Sequence, residues 1–387
     1  MKEKDNLKAK YYIETKKDLK EVAEFLVEFE TTGKWSANGE PTELYKLCRG
    51  EVSQVDELEK GKGYVTLNYP MINFDMEKSA FSSLWLYMIG GATHALVDYE
   101  KSRLVDFELP EEYNKYFPGP MWGIEGTKKF LGVPEQEPII GTIVKPTAGL
   151  SSDEVAHMCG EFAEGGLQFI KDDEKMMNTT YCPLKERVTK VMNLIRKAED
   201  KTGIKVLYAP HITTGPENIL QHAEIAVKSG ARALMVNIFA SGFSSLKMLR
   251  QEFDVPLYAH CGGKEAFGRA EGQGVSPEVI VKLTRLMGGE FFRSNILGGY
   301  LVGGSIEEIH SLNNVMRSSM KGIKDMVPAL SGGLKPSNLK ENLEAFGTGV
   351  MVLAGTGITL YPGGIKNGVK AMKEVAAKFS ESKSAKY

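Results

Sequence analysis

The sequence predicts an α/β protein with a C-terminal (β/α)8 TIM barrel and an N-terminal α+β domain of the ferredoxin-like type. Beyond residue 138, short apolar segments alternate with amphipathic segments eight times, and about 250 residues is the usual size of one closed barrel. Before that point, strand-like and helix-like segments are mixed. Proline-containing stretches at residues 117–120 and 133–135 separate the two parts. We therefore assign residues 1–135 to the N-terminal domain and residues 136–387 to the barrel.

In the N-terminal part, the spacing of apolar residues predicts both helices and strands. Residues 18–29 carry apolar side chains at helical spacing, namely Leu19, Val22, Ala23, Leu26 and Val27. The other predicted elements are strands at residues 11–13, 64–69 and 104–107 and an apolar helix at residues 82–95. Interleaving of this kind is typical of a small α+β domain.

The barrel part is predicted from strand and helix segments that alternate in regular order. The predicted strands are residues 139–144, 167–171, 205–208, 233–238, 256–260, 290–294, 327–330 and 349–354. The predicted helices are residues 153–164, 184–200, 216–228, 277–287, 306–320 and 339–346. A doubly wound sheet shares this alternation, but eight nearly even units and a final closing helix favour the barrel.

Composition excludes several classes of function. The chain has 387 residues, 42% hydrophobic and 25% charged, as in ordinary soluble proteins, and its net charge of −2 offers nothing to attract nucleic acid or anionic membrane. The four cysteines form no C-x-x-C pair. The N-terminus lacks an apolar signal segment, and the longest apolar stretch, residues 81–97, is interrupted by Gly90, Gly91 and His94. We expect a reduced, cytoplasmic protein with no nucleic-acid or membrane partner.

The segment Lys171-Asp172-Asp173-Glu174 follows the second predicted barrel strand directly. Side chains alternate along a strand, so Lys171 and Asp173 share a face, and Glu174 follows where the strand ends. Two carboxylates at the carboxyl end of a barrel strand suit a hard cation such as Mg2+. Burial would make the lysine neutral, and a neutral amine can act as a base or add carbon dioxide to form a carbamate. The alternative is a solvated loop, because short charged runs are common.

Residues 165–174, Gly-Gly-Leu-Gln-Phe-Ile-Lys-Asp-Asp-Glu, resemble the metal-site signature of the RuBisCO large subunit. The resemblance implies that Lys171 is carbamylated and that the carbamate, Asp173 and Glu174 bind one Mg2+ per site. Residues 141–146 resemble the family's first barrel strand, whose catalytic lysine corresponds to Lys145. Residues 257–260 resemble the fifth strand, with His260 near the metal-bound substrate.

Two glycine-rich segments resemble the phosphate-binding ends of the family's seventh and eighth strands. The residues concerned are Ser331, Gly332 and Gly333 in one segment and Gly355 and Thr356 in the other. Backbone N–H groups of glycine loops followed by a helix form an anion cradle, and barrels often bind phosphate after these two strands. The alternative is that the glycines only turn the chain. The resemblance implies a small phosphorylated substrate.

The segment Thr32-Gly33-Lys34-Trp35 resembles the family's N-terminal stretch that reaches into a neighbouring subunit's site. The resemblance therefore implies a homodimer with shared active sites, in which Lys34 and Trp35 contact a substrate held by the other copy.

Four positions depart from the carboxylase pattern. Thr147 replaces a second lysine after the first strand, and Tyr300 lies where the mobile loop after the sixth strand carries a lysine. Gly91 replaces an asparagine that helps to hold metal and substrate, and Cys261 replaces an arginine. Losing one preorganised electrostatic partner commonly costs about a hundredfold to a thousandfold in rate, so we expect no carbon fixation.

Three further residues have two interpretations each. Lys34 and Arg293 correspond to phosphate-contacting positions and would compensate for lost charges, or they are surface cations. His211, after the third strand, belongs to the site by position, or it is a hydrogen-bonded structural histidine.

The resulting hypothesis is a RuBisCO-like enzyme that enolises, isomerises or decarboxylates a phosphorylated keto-sugar or keto-acid. The remaining metal, base and phosphate residues suffice for proton abstraction next to a carbonyl. The alternatives are the diketo-methylthiopentyl-phosphate enolase of methionine salvage, a genuine ribulose-bisphosphate carboxylase, and a non-catalytic binding or regulatory protein. Lys145 resembles the carboxylase more than the salvage enolase.

Overall fold

The computed structural model describes residues 5–36 and 38–384, which form two compact units. Unit 1 contains the described residues up to Phe117 together with Gly263–Leu283. Unit 2 contains Pro118–Gly262 and the described residues from Thr284 onward. None of the helices in the described ranges has the length and apolarity needed to cross a bilayer.

The strands are β1 (Asn6–Thr15), β2 (Glu51–Glu59), β3 (Lys62–Pro70), β4 (Tyr99–Glu108), β5 (Ile139–Ile143), β6 (Phe169–Lys171), β7 (Leu207–Ala209), β8 (Leu234–Asn237), β9 (Leu257–His260), β10 (Gly274–Val275), β11 (Phe291–Ser294), β12 (Val327–Leu330) and β13 (Met351–Leu353). The α-helices are α1 (Leu19–Thr31), α2 (Glu43–Cys48), α3 (Met76–Met88), α4 (Gly123–Leu131), α5 (Ser152–Glu164), α6 (Leu184–Thr202), α7 (Ile219–Lys228), α8 (Ser244–Glu252), α9 (Lys264–Gly268), α10 (Pro277–Leu286), α11 (Ile306–Arg317), α12 (Pro336–Phe346), α13 (Thr356–Thr359) and α14 (Ile365–Ser384). Short 3-10 helices occupy Met71–Asn73, Glu111–Tyr116 and Pro216–Asn218.

Unit 1 is built on a five-stranded sheet in the order β10-β4-β1-β3-β2. The central strand β1 is antiparallel to both β3 and β4, and β10 adds a short parallel pairing to β4. Alternate β1 residues, Leu7, Ala9, Tyr11 and Ile13, are fully buried. The order β4-β1-β3-β2, with helices after β1 and β3, is the ferredoxin-like arrangement, so the predicted α+β class is confirmed.

The helix predicted at residues 18–29 is α1, and its five predicted apolar residues are the buried ones. Asp18 begins it by accepting the backbone N–H groups of Lys20 and Glu21. The apolar helix predicted at residues 82–95 is instead α3, which begins earlier because the Asp75 side chain accepts the Lys78 N–H. Strand β2 was not predicted, since most of its residues are exposed and charged or polar.

Unit 2 contains an eight-stranded parallel sheet in the order β7-β6-β5-β13-β12-β11-β9-β8. A bridge between His211 and Met235 joins the two ends, with backbone hydrogen bonds from Ile212 and Met235 across the seam. A sheet whose ends meet is a barrel and not a doubly wound sheet, so the predicted (β/α)8 architecture is confirmed. The strands are shorter than several of the predicted segments but lie at the predicted places.

Side-chain alternation divides the barrel interior into an apolar part and a polar rim. Phe169, Tyr258 and Phe291 point inward and belong to the core cluster of the barrel. Since alternate residues share a face, the inward residues two positions further along these strands are Lys171, His260 and Arg293. The polar side chains therefore gather at the carboxyl ends of the strands, where barrel enzymes hold their substrates.

Glu290, just before β11, fixes the start of α4 within unit 2. Its carboxylate accepts the backbone N–H groups of Met121 (2.6 Å), Trp122 (3.0 Å) and Gly123 (2.5 Å). The N–H groups at the start of a helix have no acceptor within the helix, so the buried Glu290 carboxylate serves as the N-terminal cap of α4. Burial raises the pKa of Glu290 to about 7, against the lowering effect of the three N–H donors.

Replacing Glu290 with alanine should strongly destabilise the protein, because three buried N–H groups lose their acceptor. Each unpaired buried donor costs about 1–3 kcal/mol, so we expect the free energy of unfolding in urea to fall by at least about 3 kcal/mol. Glu341→Ala, on the exposed surface of α12, is the control and should change it by no more than about 0.5 kcal/mol. Equal effects of the two substitutions would contradict this role.

Candidate active site

Asp172 and Asp173 follow β6 directly, and their side chains point to opposite sides of the chain. Asp172 is fully buried and accepts hydrogen bonds from the Tyr208 hydroxyl (2.6 Å), the Arg187 Nε (3.1 Å) and the His211 backbone N–H (3.0 Å). Its neighbour Asp173 is also buried but has different partners. Asp172 is thus occupied by structural contacts, and the solvated-loop interpretation of this run is wrong.

Arg187, from α6, organises the loop that follows β6. Its guanidinium is fully buried and donates to the carbonyl groups of Cys182 (2.8 Å), Met177 (3.2 Å) and Met176 (3.2 Å) besides its ion pair with Asp172. A buried ion pair in which each guanidinium nitrogen has an oxygen partner fixes one arrangement of the loop. Arg187 was not predicted from the sequence, because it lies among exposed charged residues of the same helix.

Lys171 is 2% exposed at the inner end of β6. Its Nζ donates to the Asp172 carbonyl (3.0 Å) and lies 3.5 Å from the Met235 sulfur and 5.2 Å from the centre of the Tyr258 ring. Burial lowers the pKa of Lys171 to about 8, although Glu174 and Asp173 oppose this shift. A substantial neutral fraction near that pH makes the amine a nucleophile or a base.

Lys145 lies beyond the end of β5, and its side chain contacts both Asp173 after β6 and Thr147 in the loop after β5. Its ammonium forms an ion pair with Asp173 and donates to the Thr147 hydroxyl at 3.1 Å. The other Asp173 oxygen accepts the Lys175 backbone N–H at 3.1 Å. Lys145 is only half-buried, so its charge remains accessible to a ligand above the rim.

His260, the last residue of β9, is held as a neutral imidazole in one orientation. Its Nδ1 accepts the Gly262 N–H (3.2 Å) and faces the Asn237 Nδ2 (3.3 Å), which leaves the proton on Nε2. That Nε2 lies 3.6 Å from a Glu174 carboxylate oxygen. Burial and the charge of Lys171 hold the pKa of His260 well below its ordinary value.

Asn237 fixes this orientation and was not predicted from the sequence. Its side-chain oxygen accepts the N–H groups of Phe239 and Ala240, and its Nδ2 donates to the Gly262 carbonyl at 3.0 Å. These partners determine which way its amide points. The feature of the sequence that could have identified Asn237 is its position as a polar residue near the carboxyl end of the fourth predicted barrel strand.

The two predicted phosphate segments lie at the ends of β12 and β13. Ser331 is buried, and Thr356 begins the short helix α13 directly after Gly355. Gly355 adjoins Lys145, since a Cβ on it would lie 3.6 Å from the Lys145 Cγ. Beside these loops is a cavity of about 530 Å3 whose lining includes Lys335, Ser337, Thr356 and Tyr361.

Tyr300, in the loop after β11, lies against the first of these segments. Its side chain is 80% exposed, its N–H donates to the Gly332 carbonyl at 3.3 Å, and a Cβ on Gly333 would lie 3.2 Å from its ring. The side-chain amide of Asn295 stabilises this loop by donating to the carbonyl groups of Val302 (2.6 Å) and Gly303 (2.8 Å). Residues 294–304 contain no lysine or arginine.

The remaining predicted positions are Arg293 and Cys261 in unit 2 and Lys34 and Trp35 in unit 1. Arg293 is half-buried, and its charge contributes to the lowered pKa of His260. Cys261 is fully buried and has no bonded partner. In unit 1, Lys34 is exposed, whereas Trp35 donates to the Gly39 carbonyl and packs on Tyr45.

Gly91 has a structural explanation within unit 1. It has a left-handed φ of +59°, and a Cβ there would collide with the Glu30 carboxylate, which accepts the Ala92 N–H. A side chain at this position would therefore require the Glu30 carboxylate to move and to give up its contact with the Ala92 N–H.

The donor set of the rim fits a magnesium ion when Lys171 is modified. In the part of the chain that the structure describes, no three His, Cys, Asp or Glu side chains come together as metal ligands. Asp173 and Glu174 provide oxygen ligands, and an unmodified lysine adds none. A carbamate on Lys171 would supply the third anionic oxygen ligand, and a set of this kind suits Mg2+.

Comparison with known proteins gives the same family for both parts of the chain. Residues 1–113 match the N-terminal domain, and residues 123–386 the catalytic domain, of the ribulose bisphosphate carboxylase large chain. The chain is 30% identical over 381 residues to ribulose bisphosphate carboxylase of Pyrococcus horikoshii, covering 96% of this chain and 86% of that protein. It is 31% identical over 381 residues to 3-oxo-isoapionate-4-phosphate decarboxylase of Rhizobium rhizogenes, covering 94% and 90%.

Among solved structures, a rubisco-like protein from Burkholderia fungorum matches with a TM-score of 0.89 and 27% identity, covering 97% of this chain and 95% of that one. Similarity to carboxylases and to a decarboxylase is thus of the same size, so overall identity does not distinguish between their reactions.

Substituting asparagine for Asp172 should destabilise the protein by about 3–5 kcal/mol, because it leaves Arg187 as a buried charge without its partner. Asp153→Asn is the matched control: Asp153 pairs with Lys190 on the surface, and such pairs contribute about 0–1 kcal/mol. Urea unfolding of both variants measures the difference. A loss at Asp172 no larger than at Asp153 would contradict the importance of the buried pair.

Proposed function

The chain belongs to the family of ribulose bisphosphate carboxylase large chains, and we propose that it is a Mg2+-dependent enzyme that enolises, isomerises or decarboxylates a phosphorylated keto-sugar or keto-acid. The observation that carries the proposal is the ion pair of Lys145 with Asp173 next to the buried amine of Lys171. A lysine that can donate a proton and two carboxylates lie together at the carboxyl ends of the strands.

The metal would be held by Asp173, Glu174 and a carbamate on Lys171. When bound, Mg2+ supplies Lewis-acid polarisation of a substrate carbonyl. The chain's own residues do the rest. Lys145 is the general acid/base, because its amino group can take a proton from the carbon next to the carbonyl and return it to another atom. His260 donates its Nε2 proton to a substrate oxygen, in the orientation that Gly262 and Asn237 impose.

The phosphate would lie at the ends of β12 and β13. Ser331, Gly332, Gly333, Gly355 and Thr356 offer hydroxyl and backbone N–H donors, and Arg293 adds a charge from the neighbouring strand. We further propose a homodimer in which Lys34 and Trp35 of one copy complete the site of the other.

The loop after β11 argues against carbon fixation. It offers Tyr300 where a lysine would stabilise a newly added carboxylate, and Thr147 accepts a hydrogen bond from Lys145 where a second lysine would lie. Without those cations the rim retains the groups for proton transfer but not those for capturing carbon dioxide as a substrate. Because those cations are missing, 3-oxo-isoapionate-4-phosphate decarboxylase is a better guide to the reaction than the carboxylases, although this chain is similar to both to the same extent.

Phosphorylated keto compounds incubated in deuterium oxide should exchange the hydrogen next to the carbonyl when Mg2+ is present. Lys145→Met should slow this exchange by about 100- to 10,000-fold, the usual contribution of a general acid/base, as measured by proton NMR. Lys185→Met, on the exposed side of α6, is the control and should exchange at the wild-type rate. Exchange that is absent with every candidate, or unchanged in Lys145→Met, would contradict the proposal.

With ribulose 1,5-bisphosphate, Mg2+ and labelled carbon dioxide, the protein should form no 3-phosphoglycerate, because residues 294–304 carry no cation to stabilise the carboxylated intermediate. Radiolabel in acid-stable product measures this directly. Carbon dioxide-dependent product formation would instead favour a genuine carboxylase.

A further inference from the structure

The imidazole of His211 is a buried group with an unused polar atom. The residue is 2% exposed at the end of β7. Its Nε2 forms a hydrogen bond of 2.5 Å with the Thr213 hydroxyl, and its Nδ1 has no partner among the described residues. A buried nitrogen without a partner is unfavourable, and in a native protein it commonly marks a place for a ligand or a modification.

The Thr213 hydroxyl and the His211 imidazole share one hydrogen bond, whose direction depends on the tautomer of the ring. The Thr213 oxygen already accepts the Asn237 backbone N–H at 2.8 Å, and its hydroxyl hydrogen can donate to the His211 Nε2. Burial and the charge of Lys171 lower the pKa of His211 to about 3, so the ring is neutral. With Thr213 as the donor, the proton of this neutral ring lies on Nδ1, which is then a hydrogen-bond donor.

This residue lies on the same inward face of the barrel as Lys171. Lys171 pairs with Ala209 across the sheet, and His211 lies two residues further along the same face. Met235 contacts the Lys171 Nζ at 3.5 Å and forms the barrel-closing bridge with His211. The protonated amine has no lone pair and offers Nδ1–H no acceptor, whereas an anionic oxygen bound to that nitrogen would.

We propose that His211 is a positioning residue whose Nδ1–H donates to an oxygen of a carbamate formed on Lys171. The inference rests on the proposed function, which includes that carbamate. In its formation the lone pair of the neutral amine forms the C–N bond with carbon dioxide, and one C–O π pair moves onto oxygen. The nitrogen releases one proton to solvent. His211 takes no part in that transfer, because its Nε2 lone pair accepts the Thr213 proton; it orients and stabilises the product.

The tautomer is tested on the wild-type full-length protein by two-bond 15N–1H NMR of labelled histidine. His211→Asn, which loses one histidine signal, assigns the resonance. We expect the Nδ1–H form, and we expect 13C-bicarbonate with MgCl2 to shift that signal in the wild type but not in Lys171→Met. Thr213→Val, which removes the hydroxyl donor, should weaken the tautomer preference. A predominant Nε2–H form in the wild type would overturn the proposal.

The carbamate is measured by its 13C signal as a function of carbon dioxide concentration. His211→Leu should weaken carbon dioxide binding at Lys171 about 10- to 100-fold, the usual effect of one lost hydrogen bond to a charged group. His211→Asn, whose side-chain amide can donate in its place, should recover most of this loss. Lys171→Met is the control without an adduct.

The possible failures are distinguishable. A wild-type adduct that His211→Leu binds equally well refutes the role of His211 and leaves the carbamate intact. The absence of any adduct on Lys171 in the wild type refutes both the carbamate and this role. Lack of deuterium exchange by a protein that does form the adduct refutes the proposed reaction alone.

Discussion

The buried carboxylate of Asp172 is the contact on which the arrangement of the rim depends. It joins Arg187 of α6, Tyr208 of β7 and the backbone of His211 at one point. Because neighbouring residues in an extended segment face opposite sides, fixing Asp172 outside the barrel directs Lys171 and Asp173 to the inside. The buried ion pair of Asp172 with Arg187 stabilises this arrangement, since leaving either charge unpaired in the interior is costly.

Charge balance explains the chemistry that the rim can support. Lys145 is paired with Asp173, whereas Lys171 is surrounded by apolar and sulfur groups that disfavour its charged form. The two nearby imidazoles are held neutral by burial. A lysine that is easily neutralised is suited to becoming an anion by modification. Asp173 and Glu174 would then lie beside a third negatively charged group, and three such oxygen ligands suit a divalent metal.

The proposed loss of cations would distinguish this rim from that of a carboxylase. At the two positions where the resemblance implies lysines in a carboxylase, Thr147 and Tyr300 make local contacts, one to Lys145 and the other to the Gly332–Gly333 turn. These contacts keep the loops in place without supplying positive charge. Electrostatic stabilisation of an added carboxylate depends on preorganised charge, so this difference affects the carboxylation half of the chemistry more than proton transfer.

Apolar periodicity and strand alternation are local properties, so the sequence was sufficient to predict the barrel, the α+β class of the N-terminal domain and the shared face of Lys171 and Asp173. It did not predict β2, whose exposed charged residues are recognised as a strand only through their pairing with β3. It also did not predict that the Glu30 carboxylate lies against Gly91. The orientation of His260 depends on tertiary structure, because Asn237 belongs to the neighbouring strand β8 and meets the histidine only when the barrel sets its register. The Thr213 hydroxyl beside His211 is likewise held by the Asn237 backbone N–H.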